Sequence, residues 1–385
     1  MKPLEILITN NTLADRAGTE LYVRDVAISL KNRGHKPVAY SQILGEVADE
    51  IRAAEIPVVD DLKKLTKVPD LIHGHHNLET MTALLHFPNS PGIFYCHGYV
   101  PWQEQPPVFP RILRYIAVDH ACLDRLHETG IHPNRIRVIY NFADLKRFLP
   151  RKPLPPQPRK ALVFSNYAHE SDYLPVIRKA CKRAGIELNV AGIGLGRPCR
   201  QPETLLPEYD LVFAKARAAI EALAVGCAVI TCDHSGFGSM VTTRNLDAFR
   251  PLNFGLRTLT RPMELKVIFE EIACYNPRDA EAVSRRIRTI ANMEDAIDQL
   301  LVIYQEVITE FEQTKPARET EEEAVAAYLG WLSALVKGTE PRLLNLCDKL
   351  QQENKALKVT MGITQDTADR KAKPWKNLKR LWNSI

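Results

Sequence analysis

Residues 210–238 read DLVFAKARAAIEALAVGCAVITCDHSGFG, and the fold is decided there. Leu211, Val212 and Phe213 form a short apolar run, suited to a strand buried on both faces. The Ala-rich stretch from Ala216 to Val225 carries Ile220, Leu223 and Ala224 on one helical face, and Gly226 stops it. Ala228 to Thr231 makes the next strand, and the segment to Gly238 reads as a Gly-containing turn. Two parallel strands joined by a helix make a βαβ unit. In such sheets ligands bind beyond the carboxyl ends of the strands. Lys215 and Arg217 stand in the turn at that end, and Glu221 lies one turn into the helix. A helix N-terminus with two cations suits a diphosphate. A carboxylate just behind it can accept hydrogen bonds from ribose hydroxyls. An ordinary βαβ unit with solvated basic residues fits the same letters.

Outward from this stretch the pattern repeats. Glu5 to Thr9 predicts a first strand, and Val23, Val26, Ala27 and Leu30 give the next helix its buried stripe, ended by Gly34. Further strands are expected at Pro37–Tyr40, Ile56–Val59, Asp70–His73, Gly92–His97, Tyr115–Val118 and Arg135–Tyr140. Strands alternating with helices at this spacing argue a parallel, doubly wound sheet. RKPLPPQPRK, residues 151–160, reads as a stiff linker between domains. The pattern then restarts with strands at Ala161–Ser165 and Glu187–Ala191. The chain is therefore α/β, with two Rossmann-like domains in tandem, and the cleft between them is the default ligand site. Beyond residue 316 two helices are expected, Thr320–Val336 and Pro341–Val359. Leu343, Leu350 and Leu357 recur every seven residues there, with Leu346 between the first two. That stripe serves self-association through 341–359 or packing back onto the body.

Composition narrows the classes. The chain of 385 residues is 45% hydrophobic and 25% charged, as in ordinary globular proteins. No run approaches the ~20 apolar residues of a spanning helix. Glu5 breaks any signal-peptide core. The eight cysteines form no CxxC pair, which speaks against a zinc ribbon or disulfide framework and for a reducing cytoplasm. Five of the 51 basic residues lie in 371–385, so the rest of the chain carries equal numbers of basic and acidic side chains. Nucleic-acid binding by the body has little electrostatic support. The tail itself, KAKPWKNLKRLWNSI, puts Trp375, Leu378, Leu381, Trp382 and Ile385 on one helical face and most of its basic residues on the other. That is the pattern of a helix lying in a membrane interface; docking onto protein is the alternative.

The order of elements carries a family likeness. AGTELYVRDVAISLKNRGHKPVAYS, DLIHGHH, YCHG, VIYNFADLKRF, IEALAVGCAVITCD and MEDAIDQLLVIYQEVI occur in that order. Together they resemble the GT-B glycosyltransferases, most closely the large retaining family 4, over roughly residues 4–312. The resemblance implies an acceptor-side domain at 1–150, the linker 151–160 and a nucleotide-sugar domain at 161–292. A helix at 293–313 crosses back onto the first domain. A helical extension at 316–360 and the basic amphipathic tail at 361–385 are added. It implies transfer of a sugar from a nucleotide-diphosphate donor to a glycan or lipid-linked acceptor, in cell-surface polysaccharide synthesis, with no cofactor and no bound metal. Cytoplasmic placement with peripheral contact to the inner membrane surface goes with it.

The chain departs from family 4 at the donor site. Glu221 matches the second of the family's two spaced glutamates, but Phe213 stands where the first should be. SNYAHESDY, residues 165–173, replaces the family's Arg and Lys after the first strand of the second domain. Lys215 and Arg217 stand in for that charge from the shortened turn. Gly18 gives the first-domain backbone a close approach to the donor, or is a plain turn glycine. His97 contacts the transferred sugar or acts as base, and the alternative is a structural histidine at a strand end. His234, Ser235 and Gly236 stand where the family contacts the donor sugar, and Asn166 and His169 lie near the phosphates. Glu20 is expected only to favour the start of its helix. His73, His75 and His76 invite a metal reading, but no carboxylate partner is evident. Two other functions stay open: a nucleotide-sugar epimerase of GT-B fold, and a non-catalytic GT-B scaffold.

Overall fold

The computed structural model describes residues 2–360, and the expectations placed on the basic tail lie outside the described residues. Residues up to Ala317 form one compact unit, and the chain from Arg318 forms a second. The first unit carries two sheets. In the first half the strands are β1 Glu5–Thr9, β2 Lys36–Tyr40, β3 Val58–Val59, β4 Leu71–His75, β5 Gly92–Cys96, β6 Ile112–Ala117 and β7 Ile136–Val138. They pair in the order β3-β2-β1-β4-β5-β6-β7, all parallel. In the second half β8 Lys160–Phe164, β9 Glu187–Ala191, β10 Leu211–Ala214, β11 Ala228–Asp233 and β12 Gly236–Met240 pair in the order β12-β11-β10-β8-β9. β4, β5, β10 and β11 are buried at every position, which explains the unbroken apolar runs of β5 and β10.

Four helices accompany the larger sheet. They are α1 Gly18–Asn32, α2 Glu46–Ala53, α3 Asn77–His86 and α4 His120–Glu128 in the first half. In the second half α5 Leu174–Arg183, α6 Pro202–Leu205, α7 Ala216–Val225, α8 Leu246–Phe249, α9 Leu265–Ile272 and α10 Pro277–Ile290 surround the smaller sheet. α11, Met293–Gln313, returns to the first half, where Arg33 binds Glu294 at 2.9 Å and Arg114 binds Glu310 at 2.7 Å. The sheet order reverses between β1 and β4 and between β8 and β10. The loops after those strands diverge there, and each sheet opens a crevice at its carboxyl edge.

Two expectations are corrected. The segment after β11 is not merely a turn: Gly236–Met240 pairs antiparallel with β11. Gly238 makes this possible, because a Cβ there would collide with Thr231 Oγ1 and the Thr258 carbonyl. Beyond residue 317 the expected two helices are one, α12 Arg318–Thr360, with Pro341 inside it. Proline costs a helix interior about 3 kcal/mol, so a break was the natural expectation. Leu329, Val336, Leu343 and Leu350 stand exposed on this helix, seven residues apart.

Candidate active site

The first-half side of the site is built from histidines. His73 and His75 alternate along β4 and so share a face. Their rings stack at 4.5 Å, and His75 stacks on His97, just past β5, at 4.8 Å. Tyr22 of α1 meets His97 edge-on at 4.8 Å and His75 at 5.5 Å. His75 Nδ1 lies 2.7 Å from His97 Nε2, and His73 Nδ1 is bonded to the Tyr304 hydroxyl of α11. Burial pushes all three imidazoles toward neutrality: His97 falls to about 4, His73 to about 3, and His75 well below its usual value. A second device ties the strand ends together. Glu104 accepts the His97 backbone N–H at 2.9 Å and faces His76 Nε2 at 3.4 Å. Burial opposes ionisation of both, but their pairing outweighs it, so His76 is raised and Glu104 lowered. His76 holds a left-handed φ of 61°, a conformation that costs about 1–3 kcal/mol and persists because its ring is pinned.

The second-half side is built from ion pairs. Lys215 caps α7, and Ala216 follows it with φ 51° while donating its N–H to the Phe254 carbonyl at 3.2 Å. Phe254 and Asn253 are left-handed as well, so three strained non-glycine residues meet at the start of α7. Arg217 Nε binds Glu221 Oε1 at 2.7 Å, and its Nη2 reaches Asp25 of α1. Arg24 binds the other oxygen of Asp25 at 2.7 Å. All three members of the Asp25–Arg217–Glu221 chain are largely withdrawn from solvent. Burial alone would raise Asp25, but Arg217 and Arg24 together hold it low. Glu221 shares only Arg217, so burial wins and its carboxyl sits above the usual range. Lys215 is bonded to the buried Asp233, whose Oδ1 accepts from the His234 N–H at 2.7 Å and faces His234 Nδ1 at 2.9 Å.

These two sides face each other. Arg217 is near enough for its charge to act on both His97 and Tyr22. Asn166 donates to the Arg16 carbonyl at 3.1 Å, Arg16 Nη2 donates to the Arg200 carbonyl at 2.9 Å, and Arg200 binds Glu46 at 2.9 Å. The loops after β1 and β8 are therefore joined across the cleft. A separate cavity of about 520 Å³, lined by Arg151, Gly226, Arg278 and Arg288 among others, lies at the other end of α7 and shares no residue with this site.

Comparison with known proteins gives the frame. Residues 16–147 match the sequence model of Glycosyltransferase Family 4. A glycosyltransferase from Rickettsia africae superposes with a TM-score of 0.56 at 14% identity, covering 80% of this chain and 99% of that one. HepE from Anabaena, solved with UDP and glucose, gives 0.56 at 14% identity over 78% of this chain and 99% of its own. Sucrose-phosphate synthase from Thermosynechococcus elongatus gives 0.56 at 15% identity, covering 80% and 100%. No curated protein matches the chain in sequence. This is a GT-B glycosyltransferase fold.

His97, Lys215, Arg217 and Glu221 are brought together as described. Gly18 is exposed at the start of α1, and a side chain there would meet open space. Asn166 bridges the domains, and its Oδ1 accepts from the Ile193 N–H at 3.2 Å. His169, His234 and Ser235 are exposed in the loops after β8 and β11, with Gly236 beside them at φ 154°. Tyr167 joins this group: its ring lies 5.7 Å from His234 and 5.6 Å from Lys215 Nζ. Both cations of the turn are ion-paired, Lys215 with Asp233 and Arg217 with Asp25 and Glu221. Glu20 is the acid in the first turn of α1, and it is buried there: it is 5% exposed, burial raises its carboxyl, and the charge of His76 opposes that rise. Asp25, Glu104 and Tyr22 were invisible as site residues. Asp25 lies in the middle of an amphipathic helix and reads as surface, and only the folded contact with Arg217 reveals it. His75 was visible as part of an alternating pair, but the pair suggested a metal. Among the described residues no group of three His, Cys, Asp or Glu side chains is arranged to hold one. No described helix is long and apolar enough to cross a membrane.

Proposed function

We propose that the protein transfers a sugar from a nucleotide-diphosphate donor to a glycan or lipid-linked acceptor, in cell-surface polysaccharide synthesis. The observation that carries this reading is the opposition of two unlike surfaces across the GT-B cleft: a neutral histidine group around His97, and the charged turn Lys215, Arg217 and Glu221. HepE, which shares the fold, was solved with UDP and glucose, and that supports a donor of this class. Glu221 accepts from the ribose hydroxyls. Lys215 and Arg217 exchange a carboxylate for phosphate oxygens when the donor enters. Asn166 and His169 lie beside the phosphates, Gly18 gives backbone access, and His234, Ser235 and Gly236 border the sugar. In the transfer, the bond between the anomeric carbon and the β-phosphate oxygen breaks, and its electron pair leaves with the nucleoside diphosphate. The acceptor hydroxyl oxygen bonds to the anomeric carbon, and its proton passes to the departing phosphate or to solvent. Fixed cations and the α7 N-terminus stabilise the charge developing on that phosphate, so no metal is required.

One observation favours a second reading. Both cations are already ion-paired, as they would be in a non-catalytic scaffold. A screen of nucleotide sugars with and without acceptors, run in EDTA, separates the cases. Transfer that needs an acceptor and survives EDTA supports the proposal. Epimerisation without acceptor would replace it with an epimerase, and no turnover with any sugar would favour the scaffold. We also place the acceptor at a membrane surface, on the sequence of 371–385. Full-length protein should sediment with anionic vesicles at low salt and lose this on deletion of 371–385, since each basic residue near such a surface adds about 1 kcal/mol. Equal sedimentation of both forms would remove the membrane role.

A further inference from the structure

We propose that His75 is a positioning residue that fixes the tautomer of His97, so that His97 offers an Nδ1–H donor, and not a base, to the sugar-bearing side of the cleft. The inference rests on the transferase reading for its use, but its geometry stands alone. A neutral imidazole has one N–H and one bare nitrogen. His75 Nδ1 and His97 Nε2 are 2.7 Å apart, so one of them donates. If His97 donated, the proton of His75 would sit on its Nε2. That atom is buried and has no hydrogen-bond partner. An N–H left in that state costs about 1–3 kcal/mol, whereas a bare ring nitrogen is the lesser penalty. The bond therefore runs from His75 Nδ1–H to His97 Nε2. The proton of His97 is then on Nδ1. That nitrogen has no hydrogen-bond partner among the described residues, on a ring that is only half-buried at the end of β5.

The surroundings hold both rings in this state. His73 and Tyr95 stack on this group from within, at 4.5 Å from His75 and 5.4 Å from His97, and Tyr22 closes the side. Glu104 is engaged by the His97 backbone N–H and by His76. Burial disfavours a further proton on His97; the Glu104 charge opposes this, and the charges on His76 and Arg217 add to it. A neutral donor suits a sugar hydroxyl oxygen, because it binds without bringing a second positive charge beside Arg217. The same arrangement denies His97 a free lone pair for taking a proton from an acceptor.

Ring nitrogen spectroscopy on histidine-labelled full-length protein tests this directly, with the His97 signals assigned through His97→Gln. The expected spectrum shows Nδ1 protonated and Nε2 bare. His75→Asn keeps a donor at the same place and should preserve that pattern. His75→Leu removes the donor and should give a mixture of tautomers, with sugar transfer falling roughly fivefold to tenfold, the scale of one hydrogen bond. UDP affinity, read by calorimetry, should be unchanged in both variants. A wild-type proton on Nε2, or an unchanged tautomer in His75→Leu, overturns the positioning role. A shifted tautomer with unchanged turnover overturns its catalytic use. If the spectra behave as expected but no nucleotide sugar is turned over, the positioning stands and the transferase reading falls.

Discussion

The two edges of the cleft solve the same problem, placing polar groups at the end of a buried sheet, in opposite ways. At β4 and β5 the groups are aromatic rings that lose their charge on burial, and stacking with short ring–ring hydrogen bonds replaces hydration. At β10 and β11 the groups keep their charge, and buried carboxylates replace water as their partners. The first solution is cheap to bury and neutral toward a ligand. The second is costly to bury, since paired charges rarely repay their full desolvation, but it holds charge in place before a ligand arrives. The difference teaches where each edge is vulnerable. The ion-paired edge should fail when one partner is removed, and the histidine edge when protons are added.

The largest expected effect is at Arg217. Arg217→Ala leaves Asp25 with Arg24 and, at 3.7 Å, Arg147, but leaves Glu221 buried with its ion-pair partner gone. Loss of one partner from a buried pair costs about 3–5 kcal/mol. The pairing with two buried acids makes stability the first property this variant loses. Urea denaturation at neutral pH reads the loss. A change below about 1 kcal/mol would mean the pairs are dispensable and the contrast between the edges is not one of stability.

Acid attacks the other edge. His73, His75 and His97 all have lowered values in the fold, and His76 has a raised one. A histidine depressed by folding takes up its proton more readily in the unfolded chain. Its stabilisation is present above the unfolded value of about 6.5 and is lost as pH falls toward the folded value. For His97 that window runs down to about 4. His76 works in the opposite sense only above the unfolded value; below it His76 is protonated in both states, so these four groups leave an uptake on unfolding that approaches about three protons. The slope below pH 6.5 is then at most about 4 kcal/mol per pH unit. The raised carboxyls Glu20, Glu79 and Glu221 oppose it nearer pH 5. Denaturation curves at pH 7.5, 6.5 and 5.5 should show stability falling with pH, less steeply in His97→Gln. A flat profile would show that the rings are not held neutral by burial.

The fold was legible because it is written in short-range signals. Apolar runs such as Leu211–Phe213 and Gly92–Cys96, the stop at Gly226 and the Pro-rich 151–160 name their own structure. The missed features carry no such local signal. Gly236–Met240 becomes a strand only because β11 offers an open edge, and Pro341 is carried inside a helix against its own propensity. At the site, Lys215, Arg217, Glu221 and His97 were legible by position, since their strands end at the cleft. Their partners were not. Asp25 is 192 residues from Arg217, and His73 is 231 from Tyr304, so no local pattern could join them.

The smallest expected effect on stability, and the sharpest test of the ion-paired edge, is Glu221→Gln. The carboxyl of Glu221 is raised in the fold, so at neutral pH its ionised form is disfavoured there relative to the unfolded chain. Glutamine keeps an oxygen for Arg217 Nε and removes that penalty, so the fold should lose little or nothing. The bound nucleotide should notice more. A charged acceptor facing ribose hydroxyls is worth ~1–3 kcal/mol, and a neutral amide oxygen returns only part of that. Calorimetry with UDP, GDP and other nucleoside diphosphates, on wild type and variant, separates the two outcomes. Weaker binding with unchanged stability places Glu221 on the ligand and makes Arg217 its holder. Unchanged binding with lower stability would make the Glu221–Arg217–Asp25 chain a strut between the domains, and the donor's ribose would then have to be recognised elsewhere in the cleft.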